Sequence, residues 1–163
     1  MDLILWRHAD AEGGSPDSAR RLTERGREQA RRVAAWLEPR LPRGCEVLVS
    51  PAARAQQTAV ALGVPFVTST AVGTDASAAD VIAAADWPAR AGPILIVGHQ
   101  PTLGRVAATL LSGAEADWDI GKGALWWLSQ ANGNIALRAV VDPDLLAVGT
   151  TSSGITMIDP EGS

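Results

Sequence analysis

The only two histidines of the chain each close a short apolar run. His8 follows Leu3-Ile4-Leu5-Trp6 and Arg7, and His99 follows Ile94-Leu95-Ile96-Val97-Gly98. Short apolar runs bounded by turn residues read as buried strands. In an open α/β sheet the carboxyl ends of the strands face the ligand crevice, so both imidazoles and Arg7 can meet in one site. Imidazole is a nucleophile and proton carrier near neutral pH, and a guanidinium grips phosphate through paired N–H donors. The grouping points to chemistry on a phosphoryl group. Taken alone, a histidine at a strand end is more often a hydrogen-bonded structural residue, so the argument needs further members.

A second set of residues runs Ser50-Pro51-Ala52-Ala53-Arg54-Ala55-Gln56-Gln57-Thr58, just after the predicted strand Val47-Leu48-Val49. Ser50-Pro51 reads as an N-cap and first helical residue, with the helix running to about Leu62. A helix N-terminus offers free N–H groups and a partial positive charge, which suit an anion. Arg54 near that end opposes the dipole, and a bound anion would compensate for it; the competing reading is a solvated surface arginine. The third set is Gly98-His99-Gln100-Pro101, again a strand running into a helix start. Three strand ends thus deliver an arginine or a histidine, which structure alone explains poorly.

The elements that must hold these residues alternate. Strands are expected at 2–7, 47–49, 65–68, 93–98, 124–129 and 134–141. Helices are expected at about 24–38, capped by Thr23, then to Leu62, at 77–86, and from Pro101 to about Leu111, closed by Gly113. Residues 9–22 read as a long loop. Asn132-Gly133 marks a hairpin between the last two strands. Strand–helix alternation up to that pair predicts an α/β fold, a three-layer sandwich whose mostly parallel central sheet has helices on both faces. One domain over residues 1–148 is expected, with a Gly/Ser/Thr-rich tail at 149–163 in which Ile155 to Ile158 could add an edge strand.

The 163 residues suffice for one full core. A net charge of −4 and a pI of about 5.1 argue against a nucleic-acid partner. The single cysteine, Cys45, cannot form an internal disulfide. No apolar stretch reaches the ~18 residues that span a bilayer, and no signal peptide is evident. A cytoplasmic protein without a membrane partner is the expectation. Lys122 is the only lysine; this and the many alanines are read as genome composition, and no role is assigned to them.

Arg7-His8 with Ala9, the Ser50-Pro51…Arg54-Ala55…Gln57-Thr58 segment and Gly98-His99…Pro101 together resemble the histidine phosphatase (phosphoglycerate-mutase-like) superfamily. Within it the chain is most similar to short SixA-type phosphohistidine phosphatases. Arg20, Leu22, Thr23 and Gly26, then Ala35-Trp36-Leu37, add to the likeness, which covers about residues 1–148. Ala9 departs from the usual glycine, a mild change if that position needs no positive φ.

The resemblance implies that His8 is the nucleophile and becomes phosphorylated, while Arg7, Arg54 and His99 clamp the phosphoryl oxygens. Arg20 is a further substrate-binding candidate. No metal or other cofactor is required, because guanidinium and imidazole groups supply the charge that phosphoryl transfer needs. Many superfamily members carry a carboxylate after the third strand as general acid. Residues 65–74 contain none; Asp75 and Asp80 are the nearest, and Asp80 reads better as a helix residue. Asp17 and Asp10 in the first loop are the other candidates for the acid. A weak acid suits phosphohistidine, whose imidazole leaves readily. The chain also has no room for the long lid of the sugar-phosphate mutases. The expected partner is a phosphohistidine-bearing protein, such as a histidine phosphotransfer domain. The alternatives are a phosphomonoesterase acting on a small phosphate ester by the same mechanism, or a non-catalytic phospho-anion binding module.

Overall fold

The computed structural model describes residues 1–146. The tail expected at 149–163, its boundary and the Ile155–Ile158 strand lie outside the described residues. Six strands form one sheet: β1 (Asp2–Arg7), β2 (Glu46–Val49), β3 (Val67–Thr68), β4 (Ile94–Gly98), β5 (Leu125–Ala131) and β6 (Asn134–Val141). The order is β3-β2-β4-β1-β5-β6. β1, β2, β3 and β4 pair in parallel, while β5 and β6 are antiparallel. The expected α/β sandwich is therefore present, with a mixed sheet.

Both faces of the central strands are dry, which is why β1 reads as a continuous apolar run. Leu3 and Leu5 point into one core with Ile94 and Ile96, covered by α3 (Ala78–Ala85) and α4 (Thr102–Ser112). Ile4 and Trp6 point into the other with Leu95 and Val97, covered by α1 (Glu24–Leu37) and α2 (Ala53–Val60). The amphipathic spacing of Ala30, Val33, Ala34 and Leu37 places the buried face of α1, and the Thr23 hydroxyl caps that helix by accepting the Gly26 N–H. The hairpin turns at Asn132 and Gly133, with φ of 51° and 79°, the left-handed pair of a two-residue turn.

β1 and β4 lie side by side with Arg7 opposite Gly98. Parallel pairing in this register brings the two strand ends together, and with them His8 and His99. The His8 N–H donates to Gly98 O at 3.0 Å.

Two local expectations are corrected. Ser50-Pro51 does not open the second helix: the N-cap is Ala52, and α2 begins at Ala53. The Ser50 side chain is committed to His99, at 2.7 Å, and to the Ala52 N–H, at 3.2 Å. The strand expected at 65–68 shortens to Val67–Thr68, an exposed edge whose only partner strand among the described residues is β2.

Candidate active site

A cleft of about 280 Å³ opens at the carboxyl ends of β1, β2 and β4, lined by Arg7, His8, Asp17, Arg20, Arg54, His99 and Lys122 among others. Each position arises from its element. Arg7 ends β1, and its guanidinium donates to Ile120 O at 2.8 Å while Nε finds no partner among the described residues. Burial pulls the Arg7 guanidinium below its ordinary range.

His8 is nine-tenths buried. Its Nδ1 lies 2.7 Å from Ala9 O. A carbonyl only accepts, so Nδ1 carries the proton and Nε2 presents a lone pair. The Arg54 Nε–H donates to that Nε2 at 3.3 Å. Desolvation pushes the imidazole down to about 3, aided by His99, Arg54 and Arg7 and opposed by the Ala9 hydrogen bond. His8 is therefore neutral at pH 7. Ala9 needs no positive φ, consistent with a side chain being tolerated there.

Arg54 is 5 % exposed, which removes the surface reading. It sits in the first turn of α2, against the dipole, and the Asp17 carboxylate compensates at 3.0 Å. A second guanidinium nitrogen of Arg54 donates to Asp17 O at 2.8 Å. His99 lies with its ring centroid 5.2 Å from that of His8. Its Nε2 bonds Ser50 Oγ, and its buried Nδ1 has no partner among the described residues. Burial first, then Arg54, lowers His99 to about 4, with Asp17 opposing.

The carboxylates considered as acids behave differently. Asp17 is held below the usual carboxylate range by hydrogen bonds from Arg20 and Arg54, so it is ionised. Asp10 is likewise lowered, by Lys122 and Thr23. Asp80 closes a capping box with Ser77 at the start of α3. Asp75 borders a different hollow, with Thr70 and Asp80. Arg20 lies at the rim, donating to Asp17 at 3.0 Å and to Glu12 O at 2.6 Å.

Several supports had no role assigned from sequence. Thr58 ties α2 to the loop that follows β1: its hydroxyl donates to Arg54 O at 2.7 Å and accepts the Ala9 N–H at 3.0 Å. Gln57 accepts the Leu22 N–H, and Gln29 the Asp10 N–H. Gly26 is required because a Cβ there would strike the Asp10 carbonyl oxygen. Ala11, Thr74 and Gln100 complete the cleft lining. Trp6 is buried in the core, and of the adjacent Trp126 and Trp127 it is Trp127 that is buried.

Buried Arg54 and partly buried Arg7 converge at strand ends on a neutral, lone-pair-bearing His8, an arrangement whose charge suits an anion. This fold and site resemble the histidine phosphatase superfamily, whose branch 1 model matches residues 3–72. Among solved structures, the protein histidine phosphatase SixA bound to tungstate is 26% identical, with a TM-score of 0.77, covering 88% of this chain and 98% of that one. A Nakamurella multipartitia protein assigned as phosphohistidine phosphatase SixA is 27% identical, with a TM-score of 0.74, covering 87% and 95%. Phosphoserine phosphatase from Entamoeba histolytica, in complex with 3-phosphoglyceric acid, shares the fold at 16% identity and a TM-score of 0.66, covering 85% and 95%. No curated protein matches the sequence. Family and structures together support a phosphatase.

Proposed function

We propose that the chain hydrolyses phosphohistidine on a signalling or phosphotransfer protein through a phospho-His8 intermediate. The observation that carries this reading is the state of His8: buried, neutral, with its Nε2 lone pair at the floor of a cationic cleft. Nε2 attacks phosphorus, the P–N bond to the substrate imidazole breaks, and that imidazole leaves with a proton taken from water. Water then attacks phospho-His8, releasing orthophosphate and restoring neutral His8. Arg54 moves its donors from Asp17 to the phosphoryl oxygens. Arg7 and His99 contribute the buried nitrogens that lack partners among the described residues. Neutralising the equatorial oxygens in a desolvated site is the main demand of phosphoryl transfer.

One observation favours phosphohistidine over an alkyl phosphate ester. Asp10 and Asp17 are both held ionised, so neither is a ready proton donor to an alkoxide. The labile P–N bond of phosphohistidine needs no such donor. The reading is tested by turnover of a phosphohistidine protein against sugar, nucleotide and serine phosphates, each with and without excess EDTA. Preferred hydrolysis of phosphohistidine that survives chelation is the expected result. A strong preference for a phosphate ester would move the assignment to the small-molecule enzyme.

A further inference from the structure

Lys122 stands out once the cleft is assembled. It is the only lysine among the fourteen basic residues, yet it lines the cleft with Arg7, His8, Arg54 and His99. It rides on the turn Gly121-Lys122-Gly123, which is fixed to the active strand: the Gly123 N–H donates to His8 O at 3.1 Å, and Trp6 Nε1 donates to Gly123 O at 2.9 Å. Its ammonium donates to Asp10 Oδ1 at 2.7 Å. Asp10 cannot drift, since Thr23 Oγ1 donates to its other oxygen at 2.8 Å and its main chain is held by Gln29 and Thr23. Lys122 also borders a hollow lined by Arg25, Asp142 and Asp144, but Asp10 is the carboxylate it contacts.

The cleft therefore has two tiers. The lower tier, His8, Arg54 and His99, is at least nine-tenths buried. The Lys122 side chain is 54% exposed at the mouth. An ammonium has three donors, and one bond to Asp10 leaves two for an incoming group. The lower tier is matched to one phosphoryl group, so a rim cation meets what lies beside it.

We propose that Lys122 is a specificity-determining residue that binds a carboxylate flanking the phosphorylated histidine of the substrate. This rests on the phosphohistidine phosphatase reading of the same site. The test uses two phosphohistidine peptides, one with Asp and Glu beside the phosphohistidine, the other with Asn and Gln at those positions. Initial rates give kcat/KM for wild type, Lys122→Gln and Lys122→Arg, each folded by circular dichroism.

Wild type should favour the acidic peptide by about fivefold, the scale of an exposed ion pair, mainly through KM. Raising the salt should shrink that ratio. Lys122→Gln should bring it to about one, and Lys122→Arg should keep most of it. A ratio that persists in Lys122→Gln, or that is already one in wild type, overturns the proposal while leaving the phosphatase reading intact. Hydrolysis of neither peptide by wild type overturns that reading and this proposal with it.

Discussion

Two hollows lie at opposite ends of β1, and the larger one is not the candidate active site. The hollow beginning at Asp2 measures about 550 Å³ and is lined by Trp36, Arg40, Trp127 and Arg138. Its charged groups are engaged within it, although the buried Trp127 Nε1 has no hydrogen-bond partner among the described residues. The Arg40 guanidinium lies 4.7 Å from the Trp36 ring centroid, and that of Arg138 lies 5.0 Å from Trp127. The two indoles meet edge to face at 6.3 Å. Asp2 pairs with Arg138 at 3.6 Å. The cleft at Arg7 and His8 is half that size, but its groups converge, are desolvated, and hold two imidazoles well below their ordinary value. A site is marked by convergent polar groups whose protonation the fold has shifted, more than by room.

The sharpest way to break this comparison is one substitution at each hollow. His8→Ala should lower turnover by on the order of 10⁶-fold, the scale of losing a nucleophile. Trp36→Ala should leave kcat/KM within about twofold, although it removes an aromatic contact and should lower the melting temperature. Steady-state kinetics with thermal melts measure both. Similar losses at the two sites would erase the distinction.

Arg54→Ala should cost about a hundredfold in rate, near 3 kcal/mol of lost transition-state stabilisation. Arg54→Lys should lose less but not recover fully, because an ammonium cannot reproduce the two-pronged guanidinium contact. Binding of orthophosphate to both variants, followed by calorimetry, should fall in the same order. A near-wild-type rate in Arg54→Ala would remove α2 from the site.

Asp17→Asn should cost less than about tenfold, because an ionised carboxylate pinned by Arg20 and Arg54 is a counter-charge and not a proton donor. A larger loss confined to ester substrates with poor leaving groups would restore Asp17 as the acid.

The smallest effect concerns pH. With His8 near 3 and His99 near 4, turnover should stay level from pH 8 to about pH 5 and fall only below that. Stability should behave differently. The unfolded chain protonates these histidines below about pH 6.5, whereas the folded one resists until about 4 and 3. Stability present above pH 6.5 should therefore decline as pH falls from there toward 4. Denaturant melts of His8→Asn should show a shallower decline than wild type between pH 6.5 and 5. An equal slope would mean that His8 is not desolvated.

The four central residues were legible because each closes or follows an apolar run, and parallel pairing of β1 with β4 brings two of those runs level. The sandwich was legible for the same reason: Leu3 to Trp6 is apolar on both faces and must be covered twice. Ser50 misled because Ser-Pro is a strong local cap signal, while its actual partner His99 lies 49 residues away. Lys122 was passed over because it belongs to no periodic element. Its turn reaches the cleft through a bond to His8 O, a tertiary fact without a local signature. Thr58 and Gln57 lay inside the motif, but their bonds to Ala9 and Leu22 depend on how the first loop folds over α2.

The central claim is that His8 takes the phosphoryl group. Rapid mixing with a ³²P-phosphohistidine protein, quenching in alkali within the first turnover and peptide mapping would test it most directly. The account predicts an acid-labile, alkali-stable label on the peptide carrying His8, absent in His8→Ala. Turnover at full rate with no labelled enzyme, or a label on His99 instead, would contradict it.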